Sequence, residues 1–240
     1  MNRGVIDKGN TRLKVGIFNS VNELIKSATV MNMEECELLF NEFSVNSVLI
    51  SNSGSDFEIT DKTRSYLKLN TQFNLPFINL YQTPNTLGTD RIAALSAAVL
   101  LFPDSNVLIF DLGTCFTIDF INEKGEYKGG NISPGLNMRY KAMHEFTSKL
   151  PLVEINSYTE LMGNCTQNAL SNGGKLGLKF EIEGYINFYQ QQYSNLQIVL
   201  TGGDIQHLDI TQKNKIFADP NFVLHGLCHL LILNEKNINH

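Results

Sequence analysis

Residues 1–18 read MNRGVIDKGNTRLKVGIF, and residues 106–122 read NVLIFDLGTCFTIDFIN. In each, an apolar run reaches Asp-x-Gly, passes a Thr and leaves in a second apolar run. Short apolar runs bounded by such residues read as buried strands joined by a tight turn. Glycine lets the backbone turn sharply and approach a ligand with no Cβ in the way. Backbone N–H groups and a Thr or Asn side chain there can donate to phosphate oxygens. The Asp repels phosphate, but it can hold a hydrated cation that bridges phosphate oxygens, as magnesium does. A single corner of this kind is most simply a strand-ending turn. Two copies at matched positions point to Asp7 and Asp111 on the two walls of one cleft, either side of a metal–triphosphate.

The segments around each corner repeat as well. GVID, RLKVGIFN and ELIKSATV read as three strands, the last two joined by a turn near Asn19–Asn22. MEECELLFNEF has helical spacing, with Leu38, Leu39 and Phe43 on a shared face. NSVLISN reads as a buried strand, ITDKTRSYLKL as a helix and LPFINL as a strand. TDRIAALSAAVLLF is the clearest helix, with Thr89 placed to cap it and Pro103 beyond its end. The second half restarts with VLIFDLG, CFTIDFIN and YKGGNIS as strands, NEKGE supplying a hairpin turn. The helix LNMRYKAMHEFTSKL follows, closed by Pro151. A long helical stretch from Thr166 to Tyr193 comes next, weakened or broken at Gly173–Gly174. LQIVLTGG is a strand entering a glycine turn, and FVLHGLCHLLILNE is a final helix. Three strands followed by alternating helix and strand, occurring twice, predict an α/β protein of two similar domains facing across a nucleotide cleft. The expected domains are residues 1–104 and 105–240.

Composition fits this reading. The 240 residues are 42% hydrophobic and 18% charged, which is ordinary for a globular protein. A net charge of −5 provides no broad basic field, so nucleic acid is not the expected partner. The longest apolar stretches, around AALSAAVLLF and GLCHLLIL, have the length of buried helices, so no membrane association is expected. Cys36, Cys115, Cys165 and Cys228 form no CxxC pair, and no signal-peptide pattern is seen at the N-terminus. A cytoplasmic protein with reduced thiols is expected.

Three further segments carry chemistry. IVLTGGD (198–204) is a buried strand ending in paired glycines, which let backbone lie flat against a nucleobase or ribose. LGTDRIAAL (87–95) sets Gly88, Thr89, Asp90 and Arg91 at a helix start. The helix dipole accounts for a carboxylate there but not for a cation. Asp90 is suited to take the proton from an attacking hydroxyl, and Arg91 to bind an anionic group of the acceptor. YKGGNISPGLNMRYKAM (127–143) is either a plain strand exit or a wall of the acceptor pocket offering backbone N–H groups to an anion. HGLCH (225–229) places two histidines a helical turn apart around a cysteine. Gly226 stands where a zinc protease needs its Glu, so a helix face carrying two histidines is the better reading.

With these residues in order, the chain resembles the type III pantothenate kinases of the acetate and sugar kinase, actin and heat-shock ATPase superfamily. IDKGNTRLKVGIF resembles the first phosphate motif, GTDR the pantothenate and catalytic motif, and DLGTCFTID the second phosphate motif. GGNISPG, FTSKLP, GNCTQNALSNG and TGGD follow in family order. The resemblance implies two ribonuclease-H-like domains. It implies ATP on Asp7, Lys8, Gly9, Asn10, Thr11, Arg12, Leu13, Lys14 and Thr114, with Gly202 and Gly203 at the adenosine. Asp90 would be the catalytic base, and Tyr81, Gly88, Thr89, Asp90, Arg91 and Thr166 would contact pantothenate. Asp111 would hold potassium or ammonium in place of the magnesium read from the corner alone. The product would be 4′-phosphopantothenate, at the first step of coenzyme A synthesis, and the enzyme a homodimer. Lys8 and Cys115 depart from common family residues without removing a chemical group. Two alternatives stand beside this reading: a kinase of the same fold for another small hydroxylated or carboxylated acceptor, and a catalytically silent regulatory binding protein.

Overall fold

The structure is a computed structural model that describes residues 1–9, 13–52, 59, 63–70, 72–155, 160–208, 210 and 216–235. The chain forms two compact units. One comprises Met1–Ser105, Ile121–Gly129 and Asn221–His240, the other Asn106–Phe120 and Gly130–Pro220.

The sheet of the first unit is built from β1 (Asn2–Lys8), β2 (Leu13–Phe18), β3 (Leu24–Val30), β4 (Val45–Asn52) and β5 (Ser65–Lys68), in the order β3-β2-β1-β4-β5. β2 is antiparallel to β1 and β3, whereas β4 is parallel to β1 and β5 parallel to β4. The turn between β2 and β3 closes with Asn22 in the left-handed region at φ 67°. The second sheet uses β7 (Asn106–Leu112), β8 (Cys115–Ile121), β9 (Glu126–Pro134), β10 (Leu196–Thr201) and β11 (Ile216–Ala218), in the order β9-β8-β7-β10-β11. The order matches that of the first sheet strand for strand, as the repeated corner leads one to expect. The short β6 (Ile78–Asn79) pairs with Glu126 and Tyr127 at the start of β9. The hairpin between β8 and β9 turns at Gly125, and Asn122 Oδ1 accepts from the Lys124 and Glu126 amides.

Helices cover both faces of the first sheet. In the first unit, α1 (Met33–Glu42) directs Cys36 and Phe40 into a cluster with Ile6, Val15, Ile17, Val48 and Ile50. Leu39 and Phe43 pack at its edge. Leu38, expected on that face, is 70% exposed, because it lies two residues from both Cys36 and Phe40 and so points away from them. The opposite face carries α2 (Thr89–Leu101) and α5 (Phe222–Glu235). α2 is lined with Ala93, Ala94, Ser96, Ala97 and Ala98, and α5 approaches so closely that a Cβ on Gly226 would strike the Ala93 carbonyl. The last helix thus packs within the first unit, although it lies in the half of the sequence expected to form the second domain.

In the second unit, α3 (Leu136–Glu145) and α4 (Thr166–Gln192) cover Leu108, Phe110, Leu112, Ile198 and Leu200 with Leu136, Tyr140, Leu178, Ile182 and Ile186. α3 ends before the expected Leu150. Thr147 Oγ1 donates to the Met143 carbonyl, and His144 Nδ1 lies 2.8 Å from the Leu150 carbonyl, so side chains close the helix end.

Two other expectations are corrected. The segment expected to be a helix around residues 59–69 forms β5, because pairing with β4 occupies its backbone and the Tyr66 hydroxyl bonds Glu37 of α1. Arg64 supports this edge through the Val45 carbonyl and Glu37. α4 runs unbroken through Gly173–Gly174. Gly174 is there for space: a Cβ would enter the ring of Tyr140, which is fixed by a 3.0 Å bond from its hydroxyl to the Ser171 carbonyl. Gly173 is exposed and meets nothing within 4 Å.

The two adjacent glycines should therefore respond with opposite sign. Gly173→Ala should stabilise the fold by about 0.5–1 kcal/mol through helix propensity. Gly174→Ala should destabilise it by about 1–3 kcal/mol through overpacking. Urea melts of both variants check this.

Candidate active site

The corner at Asp7 is set by register. In parallel β1 and β4, Val5 lies opposite Leu49 and Asp7 opposite Ser51, so the two polar residues follow the buried apolar pair on one face. That is the face covered by α2 and α5. Ser51, fully buried, bonds the hydroxyl of Thr89 at 2.9 Å. Thr89 was expected to cap α2, but the N-cap is Gly88, which has no side chain to cap with, and Thr89 is the first helical residue, its hydroxyl bonded to Ser51. Asp90 follows and folds its carboxylate back above Gly88, where a Cβ would collide with Oδ1. Oδ1 also accepts from the Arg91 amide at 2.9 Å. This packing explains the Gly of GTDR.

Asp7 and Asp90 are close enough to repel. Burial first, and the Asp90 charge second, raise the Asp7 pKa to about 6, against the opposing pull of Ser51 and Lys14. Asp7 Oδ1 is shielded from water and has no hydrogen-bond partner among the described residues. A ligand that brings a cation or a donor to that oxygen relieves both strains.

Arg91 is only 6% exposed. Its NH2 donates to the Tyr127 hydroxyl at 2.7 Å, and its guanidinium lies 5.8 Å from the Tyr81 ring centre and 6.0 Å from that of Tyr127. The two rings stack 6.0 Å apart, and Phe77 meets Tyr127 edge-on. The structure therefore brings Tyr81, Gly88, Thr89, Asp90 and Arg91 together in one unit, with Arg91 held among aromatic rings. Ser51 and Tyr127 were missed from the sequence, since a Ser at a strand end and a Tyr before Gly-Gly carry no local signal. The matched register of the two parallel strand pairs was the one available clue.

Of the other expected ATP residues, Lys8 and Gly9 end β1 and leave it, and Lys14 enters β2. Leu13 packs in the apolar cluster, leaving only its backbone for a ligand. Asn10, Thr11 and Arg12 lie outside the described residues.

The second corner repeats the pattern. In parallel β7 and β10, Asp111 lies opposite Thr201. Thr201 is fully buried, and its Oγ1 has no partner among the described residues. Gly113 N donates to the Cys115 carbonyl at 3.1 Å, turning the chain, and Thr114 is exposed at the turn. Gly202, at φ 97°, adopts a conformation that suits glycine, and its Cα lies against the Leu112 backbone. Gly203 follows at the start of a 3-10 turn. Gly135 N donates to the Thr114 carbonyl at 3.3 Å, so the end of the Gly-rich strand packs against the corner itself. Thr166, exposed, opens α4 in the same unit.

The HGLCH segment serves packing. His225 meets Phe18 edge-on at 5.5 Å, and His229 Nδ1 lies 3.3 Å from the Ser96 carbonyl. Among the described residues no group of three or more His, Cys, Asp or Glu is placed to hold a metal ion, and no helix is long and apolar enough to cross a membrane.

The fold is that of the actin-like ATPases and sugar kinases. It aligns with the activator of the 2-hydroxyisocaproyl-CoA dehydratase from Clostridium difficile, a structure with bound ADPNP, at a TM-score of 0.58 and 11% identity. That alignment covers 98% of this chain and 95% of the other. The sequence model of the family described as type III pantothenate kinase matches residues 5–187. The type III pantothenate kinase of Christiangramia forsetii is 41% identical, covering 96% of this chain and 98% of its own. That of Bacteroides fragilis (strain YCH46) is 39% identical, covering 98% and 99%. The chain belongs to the type III pantothenate kinase family.

The acidic corner has a measurable consequence for stability. The folded Asp7 pKa lies above the unfolded value, so stability is highest below about pH 4, declines as pH rises through about 6 and is level beyond. In the nucleotide-free protein, Asp7→Asn should melt higher than wild type near pH 8, by about 1–2 kcal/mol after allowance for solvent screening. The difference should close near pH 4. Thermal melts across this range check it, and an Asn variant less stable than wild type near pH 8 contradicts it.

Proposed function

We propose that the protein transfers the γ-phosphoryl group of ATP to the primary hydroxyl of pantothenate, giving 4′-phosphopantothenate. The observation that carries the reading is one corner in which Ser51 bonds Thr89 and acts on Asp7, the Asp90 charge acts on Asp7, and Arg91 of the same helix start lies against the Tyr81 ring. Such a transition state needs positioning and charge neutralisation more than covalent chemistry. Asp90 accepts or orients the acceptor's hydroxyl proton. Its half-buried carboxylate lies in the first turn of α2. Tyr81, Gly88, Thr89 and Arg91 hold pantothenate, together with Thr166. The stacked Arg91 keeps its full charge, so an acceptor carboxylate is attracted to this wall.

Residues 7–14 and Thr114 take the phosphates, with Gly202 and Gly203 against the adenosine. Asp111 and the Thr201 hydroxyl share one face of their sheet, and the buried Oγ1, without a partner among the described residues, fits an all-oxygen site for potassium or ammonium. Such a cation, with the magnesium that accompanies the triphosphate, neutralises phosphate charge. The four cysteines are free thiols, in accord with a cytoplasmic enzyme. For the homodimer, exposed Phe180 and Phe188 lie on one face of α4 in the second unit and offer an apolar contact for a second copy.

ATP-dependent phosphorylation of pantothenate by the purified protein, with and without potassium, tests the reading. Turnover of another hydroxylated acid in preference to pantothenate would move the assignment within the fold, and no turnover of any acceptor would leave a binding protein. Asp90→Asn should lower kcat by about 100-fold or more while changing the KM for ATP by less than about threefold. Near-normal turnover would remove Asp90 from its role.

A further inference from the structure

We propose that Ser51 is a positioning residue for phosphoryl transfer, tying the phosphate-corner carboxylate of Asp7 to the first turn of α2 and so fixing where Asp90 stands. The inference rests on the reading of Asp90 as the base. It starts from geometry: Ser51 is fully buried, lies opposite Asp7 in the parallel ladder and bonds the Thr89 hydroxyl at 2.9 Å. Thr89 immediately precedes Asp90.

A serine hydroxyl has one proton to give and can accept two. An ionised carboxylate only accepts, so when Asp7 is charged Ser51 donates to it, and this bond opposes the rise in the Asp7 pKa. The Thr89 hydroxyl then supplies the proton shared with Ser51. When Asp7 is protonated the same three oxygens are satisfied with every donor reversed. The chain Asp7–Ser51–Thr89 therefore persists in both states, and it links a strand to a helix whose carboxylates repel.

The N-cap of α2 is Gly88, which has no side chain to give, and the hydroxyl of Thr89, the first helical residue, is turned to Ser51. The second sheet sets a hydroxyl at the equivalent position, Thr201 opposite Asp111, which marks the pairing as a repeated part of the corner. Only the first copy reaches a helix start bearing a candidate base. The groups acting on Asp7 are Ser51 from β4, Asp90 from α2 and Lys14 from β2. Of these, Ser51 also bonds Thr89 of the helix that carries Asp90.

The test is steady-state kinetics of the full chain with ATP and pantothenate, beginning with wild-type activity. Without that activity the kinase reading fails first, and Ser51 is not at issue. Given an active wild type, Ser51→Ala should lower kcat about tenfold, the weight of one hydrogen bond, with both KM values within about twofold. Thr89→Val breaks the same bond from the other side and should lower kcat comparably. The double variant should lower kcat by less than the product of the two single losses, because the Ser51–Thr89 bond is absent from both single variants. If Ser51→Ala does not fold, Thr89→Val carries the test. Wild-type kcat in the folded Ser51→Ala protein, or in Thr89→Val when it stands in, overturns the proposal. Losses that multiply in the double variant do so as well.

Discussion

Two carboxylates at the ends of neighbouring elements, Asp7 on β1 and Asp90 on α2, stand close enough for the Asp90 charge to disfavour that of Asp7. Left alone, such a pair would separate or take up a proton. The surrounding structure prevents separation. The apolar face of β1 and β4 pins α2 through its run of buried small residues, and Ser51 ties the helix start to the strands. What is left is a corner with one carboxylate oxygen out of water and without a partner among the described residues. A ligand that brought a cation or a donor to that oxygen would relieve it.

The placement follows a general rule of parallel sheets, in which ligands gather beyond the carboxyl ends of the strands. Both sheets have a parallel pair, β1 with β4 and β7 with β10, and each pair ends in an Asp opposite a hydroxyl residue. Duplication of the fold thus duplicates more than the Asp-x-Gly turn. It supplies two acidic ends with different additions: a helix bearing Asp90 in the first unit, and the Gly135 and Gly202 approaches around Leu112–Thr114 in the second.

Much of this was legible in the sequence because it is local. The strand–turn–strand corners, the helix from Thr89 and the glycine turn after β10 are set by apolar period and by residues that permit tight turns. The departures came where tertiary contacts overrode local preference. Residues 65–68 became a strand because β4 had an edge to pair and Glu37 had a bond to offer Tyr66. Gly173–Gly174 sits inside a helix because Tyr140 needs the room. Thr89 resembles a cap, yet its hydroxyl is taken by a serine 38 residues away. Ser51 and Tyr127 are invisible locally for the same reason, as their partners lie far along the chain. The packing of α5 on α2 could be read only from the small residues that face each other.

The central claim is that Asp7 and Asp90 serve one reaction, the first beside the triphosphate and the second at the acceptor hydroxyl. A crystal structure of the protein with a non-hydrolysable ATP analogue, pantothenate and potassium tests it most directly. The account predicts an Asp90 oxygen within about 3 Å of the pantothenate hydroxyl, and that hydroxyl in line with the γ-phosphate. A triphosphate bound away from Asp7, or an acceptor hydroxyl facing some other base, would contradict it.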